Sequence, residues 1–355
     1  MIKKYLIPLT ILLFPIICES QVAKYSNEFL SIGVGAKELG MGGATVASTS
    51  SVFSTYWNPA ALLNLDNDAQ IGAMHNENFG GISKFDYLGF TSVKKGNSAL
   101  GISLVRNGVD GIPNTLDLID ENGDVRYDRI STFSVNDYAL FISTAQKTSI
   151  DGLSIGGNVK IIRRIVGKFA SAWGFGLDVS AQYQTGKWVI AGILRDATTT
   201  YNSWKYNTAT FKDAFQLTGN EVPKNSTELT MPKLTLGFSK RFDIGNKHCV
   251  LAEIDGDFTF DGKRNVLVKS NVVSIDPKAG IEYGFKKLLF FRAGMNNVQR
   301  IPDFNKKSKL DIQPNIGAGF KYKKLSVDYA LSILGDKTSA LYSNIFSLTY
   351  SFDKK

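Results

Sequence analysis

WGFGLDVSAQY, residues 173–183, sets Trp173, Phe175, Leu177, Val179, Ala181 and Tyr183 on one side of the chain and Gly174, Gly176, Asp178, Ser180 and Gln182 on the other. Side chains that swap faces at every step belong to an extended strand, so this stretch is a β-strand with one apolar and one polar face. Residues 250–260 repeat the pattern: Val250, Ala252, Ile254, Gly256, Phe258 and Phe260 stand opposite Leu251, Glu253, Asp255, Asp257 and Thr259. The same alternation returns near 153–161, 234–242, 277–285, 312–322, 325–333 and 344–352. Strands of a soluble sandwich usually run to about 5–6 residues. These runs have instead the roughly 9–11 residues that a tilted strand needs to cross a bilayer. One face is rich in Phe, Tyr, Leu and Ile, as lipid demands, and the other carries Gly, Ser, Asn, Gln and charges, as a wet interior demands.

Extending that reading along the chain gives candidate strands at 69–75, 84–93, 98–107, 135–146, 151–164, 171–184, 187–195, 231–242, 248–259, 271–285, 287–296, 312–322, 325–333 and 342–352. The fold class is therefore all-β, a transmembrane antiparallel β-barrel of about fourteen strands. Connections after even-numbered strands are short, such as 94–97, 185–187 and 323–324. Those after odd-numbered strands are mostly long, reaching 108–134, 196–230 and 297–311. Short periplasmic turns alternating with long outer loops are the pattern of outer-membrane barrels, and the alternation places both termini in the periplasm. Phe346, Leu348, Tyr350 and Phe352 alternate with Ser347, Thr349 and Ser351 close to the chain end. This resembles the C-terminal aromatic signal of such barrels, with Asp353-Lys354-Lys355 following it.

The N-terminus fits export. Lys3 and Lys4 precede a short apolar run at 5–17, too short for the roughly 20 residues of a membrane-spanning helix. It reads as a signal peptide, residues 1–20, cleaved after Ser20. Cys18 leaves with it; a lipidated Cys18 is the rival reading, disfavoured by Ile17 before it. Cys249 then stands alone, without an internal disulfide. Removing Lys3, Lys4 and Glu19 leaves 39 basic and 31 acidic side chains, a net +8. The basic residues are scattered through turns and form no stripe, so no nucleic-acid partner is expected. Residues 21–66 form a separate N-terminal periplasmic or plug segment, and 67–355 the barrel.

The candidate chemistry is sparse. His75 and His248 are the two histidines, neither with a second ligand at metal spacing. No nucleophile motif surrounds a serine. The chain is thus expected not to be an enzyme and to hold no cofactor or metal. Asp120, Asn122, Asp124 and Asp128 alternate as in a calcium loop, but Val125 stands where glycine is expected and Ser131 where glutamate is. A plain acidic loop is the better reading. Charges of both signs fall on the inward phase, among them Lys160, Asp178, Asp255, Lys278, Glu282 and Asp328, and pair into a closed interior.

Residues 29–62 break the strand rhythm: FLSIGVGAKELGMGGATVASTSSVFSTYWNPAAL. The glycines lack G-x-G-x-x-G spacing and a P-loop lysine, which excludes a nucleotide loop. Asn58 before Pro59 reads as an N-cap with proline at the first helical position, opening an apolar helix through Leu62 that needs burial in the lumen or its mouth. SIGVGAKELGMGGATVA followed by YWNPAAL resembles the N-terminal signature of the PorV/PorQ proteins of the Bacteroidota and, more distantly, of the FadL transporters, both fourteen-stranded outer-membrane barrels. Gly40, Gly42, Gly43, Trp57, Asn58 and Pro59 are the plug positions that carry the resemblance. It implies one of two functions. The first is binding of proteins exported by the type IX secretion system, with translocon or attachment components, secreted cargo and outer-membrane lipid as partners. The second is FadL-like passage of hydrophobic small molecules past a plug that shifts. The paired inward charges favour the first. Tyr201, Trp204, Tyr206, Phe211 and Phe215 in the loop 196–230, with Lys205, Lys212 and Lys224 nearby, are candidate partner-binding residues or a lid over the mouth.

Overall fold

The computed structural model describes residues 26–94, 96–120, 122–302, 308–333 and 342–353; the signal-peptide assignment lies outside them. The strands in chain order are β1 (Ala69–Asn78), β2 (Ser83–Lys94), β3 (Ser98–Asn114), β4 (Ser131–Lys147), β5 (Leu153–Val166), β6 (Ala170–Thr185), β7 (Trp188–Arg195), β8 (Thr200–Tyr206), β9 (Ser226–Thr230), β10 (Lys233–Ile244), β11 (His248–Thr259), β12 (Val268–Lys269), β13 (Ser274–Phe285), β14 (Leu289–Pro302), β15 (Ser308–Tyr322), β16 (Leu325–Ile333) and β17 (Tyr342–Phe352). Each main strand pairs antiparallel with the next, and the ring closes where β17 meets β1 over Ala69↔Phe352 to Glu77↔Asn344. β12 is a two-residue clip on β13. β8 and β9 stand above β7 and β10, so the wall has fourteen staves.

The alternation read from 173–183 is what the wall shows. Trp173 is 60% exposed and Phe175 50%, whereas Gly174, Gly176 and Asp178 face inward and are buried. Leu100 at 67% and Ile254 at 64% repeat the outward exposure around the ring. A soluble protein does not spread large side chains over its whole girth in this way; a lipid-facing band does.

One expectation about the loops changes. Residues 196–230 are no open loop, because β8 continues the wall beyond β7 by pairing with β6, β9 pairs with β8, and a short helix α3 (Lys212–Leu217) caps the hairpin. β3 and β4 likewise extend outward through Asn114↔Ser131, which shortens that loop.

Residues 26–66 fill the barrel. A 3-10 turn at Glu28–Ser31 leads into α1 (Ala36–Gly40), then α2 (Ser54–Trp57), then a 3-10 helix at Pro59–Asn64. The main core of the molecule is formed here, where Val34, Val52, Phe53 and Tyr56 of this plug meet Phe85, Tyr87, Phe141 and Ile162 of the inner wall. The plug also spans the closing seam from inside. The Gly35 amide donates to Met74 Sδ of β1 (2.9 Å), and the Ala36 amide donates to Ser347 Oγ of β17 (3.1 Å). Asn27 Nδ2 donates to Thr230 Oγ1 (2.7 Å), which places the start of the plug at the long-loop end. Its last residues reach β1 at the short-turn end. Phe352 thus lies at the short-turn end and Ser26 at the long-loop end, because the plug runs the height of the lumen before the first stave begins; the chain ends themselves, expected on the short-turn side, lie outside the described residues.

Candidate functional site in the barrel lumen

The plug is shaped by the two halves of the N-terminal signature packing on each other. Asn58 Oδ1 accepts the Ala60 amide (3.1 Å), capping the helix that Pro59 opens, and Asn58 Nδ2 donates to the Val46 carbonyl (2.8 Å). Trp57 Nε1 donates to the Val34 carbonyl (2.7 Å), and its ring covers Gly43 so closely that a Cβ there would lie 3.2 Å from it. Gly42 takes a positive φ of 67° and lies against β14, where a Cβ would come within 2.7 Å of the Met295 amide. Of the six signature positions, Gly43 packs under Trp57 and Asn58 caps the helix that Pro59 opens, whereas Gly40 and Gly42 lie against the wall at Gly317 and Met295.

The wall answers with glycines of its own, which inspection of the sequence missed. A Cβ on Gly294 would sit 2.0 Å from the Met41 carbonyl carbon and 2.3 Å from the Gly42 amide, and one on Gly280 would sit 2.5 Å from the Met41 carbonyl oxygen. Gly280 and Gly294 are paired neighbours on β13 and β14. Across the lumen, a Cβ on Gly156 would be 2.4 Å from the Ala60 amide. Plug backbone lies directly on wall backbone, a contact only glycine permits.

Two carboxylates on β11 hold the segment between. Asp255 Oδ2 accepts the amides of Thr45 (2.8 Å) and Val46 (3.0 Å), and Glu253 Oε1 accepts that of Ala47 (2.6 Å). Glu38 in α1 is fully buried with only a long contact to Ser51 Oγ (3.4 Å); its Oε2 has no hydrogen-bond partner among the described residues. The plug is thus firmly fitted at its glycines and imperfectly satisfied at Glu38 Oε2 and Thr45 Oγ1.

Several of the remaining inward charges pair, whereas Asp276 on β13 keeps one oxygen without a hydrogen-bond partner among the described residues. Lys160 Nζ reaches Asp178 (2.9 Å) and Asp196 (2.5 Å), Lys278 reaches Asp257 (2.9 Å), and Arg292 bridges Glu282 (2.6 Å) and Asp328 (2.7 Å). Arg264, in the loop before β13, bonds Asp261 and Glu28. Burial lowers its pKa, but these two carboxylates outweigh that and raise it above the ordinary guanidinium range.

Two large recesses remain among the described residues. One of about 490 Å³ lies at the long-loop mouth, above Leu39, Gly42 and Trp57. The other, of about 870 Å³, lies at the short-turn mouth below the plug, among Lys37, Leu63, Asp66, Arg241, Cys249 and Glu282. The plug separates them.

The aromatic residues near the outer mouth do not form one surface. Tyr201 points outward from β8, 52% exposed, while Trp204 and Tyr206, of opposite parity, turn to the other face. Trp204 Nε1 donates to Glu228 (2.7 Å), its ring lies 5.0 Å from the Arg164 guanidinium, and Tyr206 stacks on it. Phe211 is buried against Phe215, ring centroids 5.0 Å apart. In the loop 115–130, Asp120 Oδ1 accepts the amides of its own turn and Asp128 pairs with Arg126 (2.8 Å).

No protein-family model matches the chain, and no curated protein is similar to it in sequence. Solved structures share the fold. The CymD monoaromatic hydrocarbon channel superposes with a TM-score of 0.58 at 14% identity, covering 91% of this chain and 98% of its own. The P. putida toluene transporter TodX gives 0.57 at 14%, over 91% and 99%, and a Pseudomonas aeruginosa FadL homologue 0.55 at 11%, over 90% and 98%. These likenesses correct the protein-cargo expectation. These three neighbours are a hydrocarbon channel, a toluene transporter and a FadL homologue, and nothing in them supports a type IX carrier or the PorV/PorQ resemblance. The paired inward charges that favoured cargo binding are instead the internal bonding of a plugged lumen.

Proposed function

We propose that the chain is an outer-membrane channel that takes a small molecule at its long-loop mouth and lets it pass inward when the N-terminal plug shifts. The reading is transport and not catalysis. The observation that carries it is the form of the barrier: two recesses face opposite ends of the barrel, separated by a segment held by hydrogen bonds and close glycine contacts with no covalent tie. Such a barrier opens by local displacement, without unzipping the wall, because the hydrogen-bond ladder of a closed barrel does not run through its contents. The unpaired oxygen of buried Glu38 favours the shift, since a buried polar atom without a partner costs about 1–3 kcal/mol. The named activities of the structural neighbours, toluene and monoaromatic hydrocarbon passage, point the same way.

Ala47 of the plug and Ala191 of β7 lie in one buried cluster. In a Cys249→Ser background, a disulfide formed between Ala47→Cys and Ala191→Cys should stop solute influx into liposomes carrying the protein. The unjoined variant should admit glucose or toluene. Influx that is unchanged by the bridge, or absent for every solute in both states, would refute a plug-gated channel.

A further inference from the structure

Resting on the channel reading, we propose that the cavity at the long-loop mouth binds a neutral polyhydroxylated molecule, a small saccharide, and not a hydrocarbon. Of its twenty-six lining residues eight are Asn or Gln, an unusual share for a site meant to receive an apolar ligand. Carboxamides offer two donors and two acceptors without charge, the set that alternating hydroxyl groups match. Some already bond to each other around the wall: Asn315 Nδ2 donates to Asn296 (3.0 Å), and Gln313 Nε2 donates to Ser332 (2.8 Å).

On the seam side the capacity is unspent. Asn76 and Asn78 are each 1% exposed and Ser343 is fully buried, yet Asn76 Oδ1, both polar atoms of the Asn78 side chain and Ser343 Oγ have no hydrogen-bond partner among the described residues. All three side chains line the cavity, Asn76 and Asn78 on β1 and Ser343 on its neighbour β17. Buried polar groups are seldom left unmet, so their arrangement on one wall marks the surface a ligand's hydroxyls would satisfy. A hydrocarbon would cover these groups without offering them a hydrogen bond. A site built to hydrogen-bond discriminates strongly against a ligand that lacks the matching groups.

The charges argue for a neutral ligand: three acids (Glu28, Asp257, Asp276) and three bases (Lys233, Arg264, Lys278) line the cavity and balance. Lys278 and Lys233 are both engaged by Asp257 (2.9 and 3.5 Å), and Arg264 by Asp261 and Glu28, while Asp276 Oδ1 has no hydrogen-bond partner among the described residues. Leu39, Trp57 and Ile345 supply an apolar floor, which suits the C–H faces of a sugar ring.

Saturation-transfer NMR on the full chain in detergent, with glucose, maltose, cellobiose and toluene as probes, tests the assignment. At least one saccharide should bind, and Asn78→Leu should weaken it at least tenfold while leaving toluene contacts no weaker. Ser343→Ala is the milder second variant and should weaken binding in the same direction. Heat-modifiable migration on gels reports that each barrel is folded. Toluene binding with no saccharide binding would overturn the inference and leave the channel reading intact. Saccharide binding that both variants leave unchanged would remove the ligand from this cavity. If no probe binds, the inference fails, while the bridged-plug influx experiment judges the channel separately.

Discussion

Gly294→Val is expected to drive the plug off the wall while the barrel stays closed. The added side chain would begin 2.0 Å from the Met41 carbonyl carbon and 2.3 Å from the Gly42 amide, both backbone atoms that have no rotamer into which to retreat. Overpacking that side chains can absorb costs about 1–3 kcal/mol. Here the relief must come from moving the segment, so a cost of about 3 kcal/mol or more is expected. At 1.4 kcal/mol per factor of ten that is about a hundredfold loss of seated plug. Protease cleavage within residues 41–60 of the reconstituted protein should rise accordingly, with heat-modifiable migration unchanged. Gly192→Ala is the matched control: its Cβ would press on the flexible end of Leu236, 3.0 Å away, and lie at an ordinary 3.7 Å from the Thr235 carbonyl oxygen, so it should leave cleavage unchanged. A Gly294→Val plug as protected as the parent's would show that the backbone contact does not hold the segment.

Asp255→Ala should loosen the same segment from the opposite side by removing its acceptor. Two amides, those of Thr45 and Val46, would be left buried without a partner. At about 1–3 kcal/mol for each unmet buried donor, the loss is about 4 kcal/mol, on the order of a thousandfold in seating. Asp255→Asn keeps a carbonyl oxygen near the position of Oδ2 and should retain most of the protection. Glu253→Ala, which strands only the Ala47 amide, should fall between them. Hydrogen exchange at Thr45 and Val46 reads the effect directly. If Ala and Asn at position 255 protect these amides equally, the carboxylate is not the anchor.

The barrel was legible in the sequence because a lipid face and a wet face differ in chemistry at every second residue, as Trp173 and Phe175 against Gly174 and Gly176 show. Above the lipid both faces of a strand meet water, and that contrast disappears. β8 therefore read as loop, since Tyr201, Ser203 and Lys205 differ little in polarity from Asn202, Trp204 and Tyr206. The plug helix at Asn58–Pro59 was legible because capping is local. Gly280 and Gly294 were not, because each owes its identity to backbone more than two hundred positions earlier, and a glycine in a strand announces only that something comes close. The unused carboxamides of Asn76 and Asn78 look like ordinary inward residues of a wet barrel until their neighbours are placed. The available signal was the recurrence of Asn and Gln on the inward phase at the outer ends of several strands: Asn76 and Asn78, Asn296, Gln313 and Asn315.

The two hydrogen bonds that plug amides donate to either side of the seam bear on how the ring holds once formed. Joining β17 to β1 brings Phe352 to Ala69, a closure whose chain entropy alone amounts to about 5 kcal/mol for a loop of this length. Contacts that distant in sequence form late and make a topology slow to fold. In this molecule the last strand to arrive meets a partner edge and, behind it, the Ala36 amide waiting for Ser347. To unzip that seam, a fluctuation must break the ladder and also pull Ser347 from a segment that is bonded through Gly35 to Met74 on the other edge. The filling of the lumen thus acts as a latch on the rate of unfolding, and a chain whose plug has shifted should lose its ring faster than one whose plug is home.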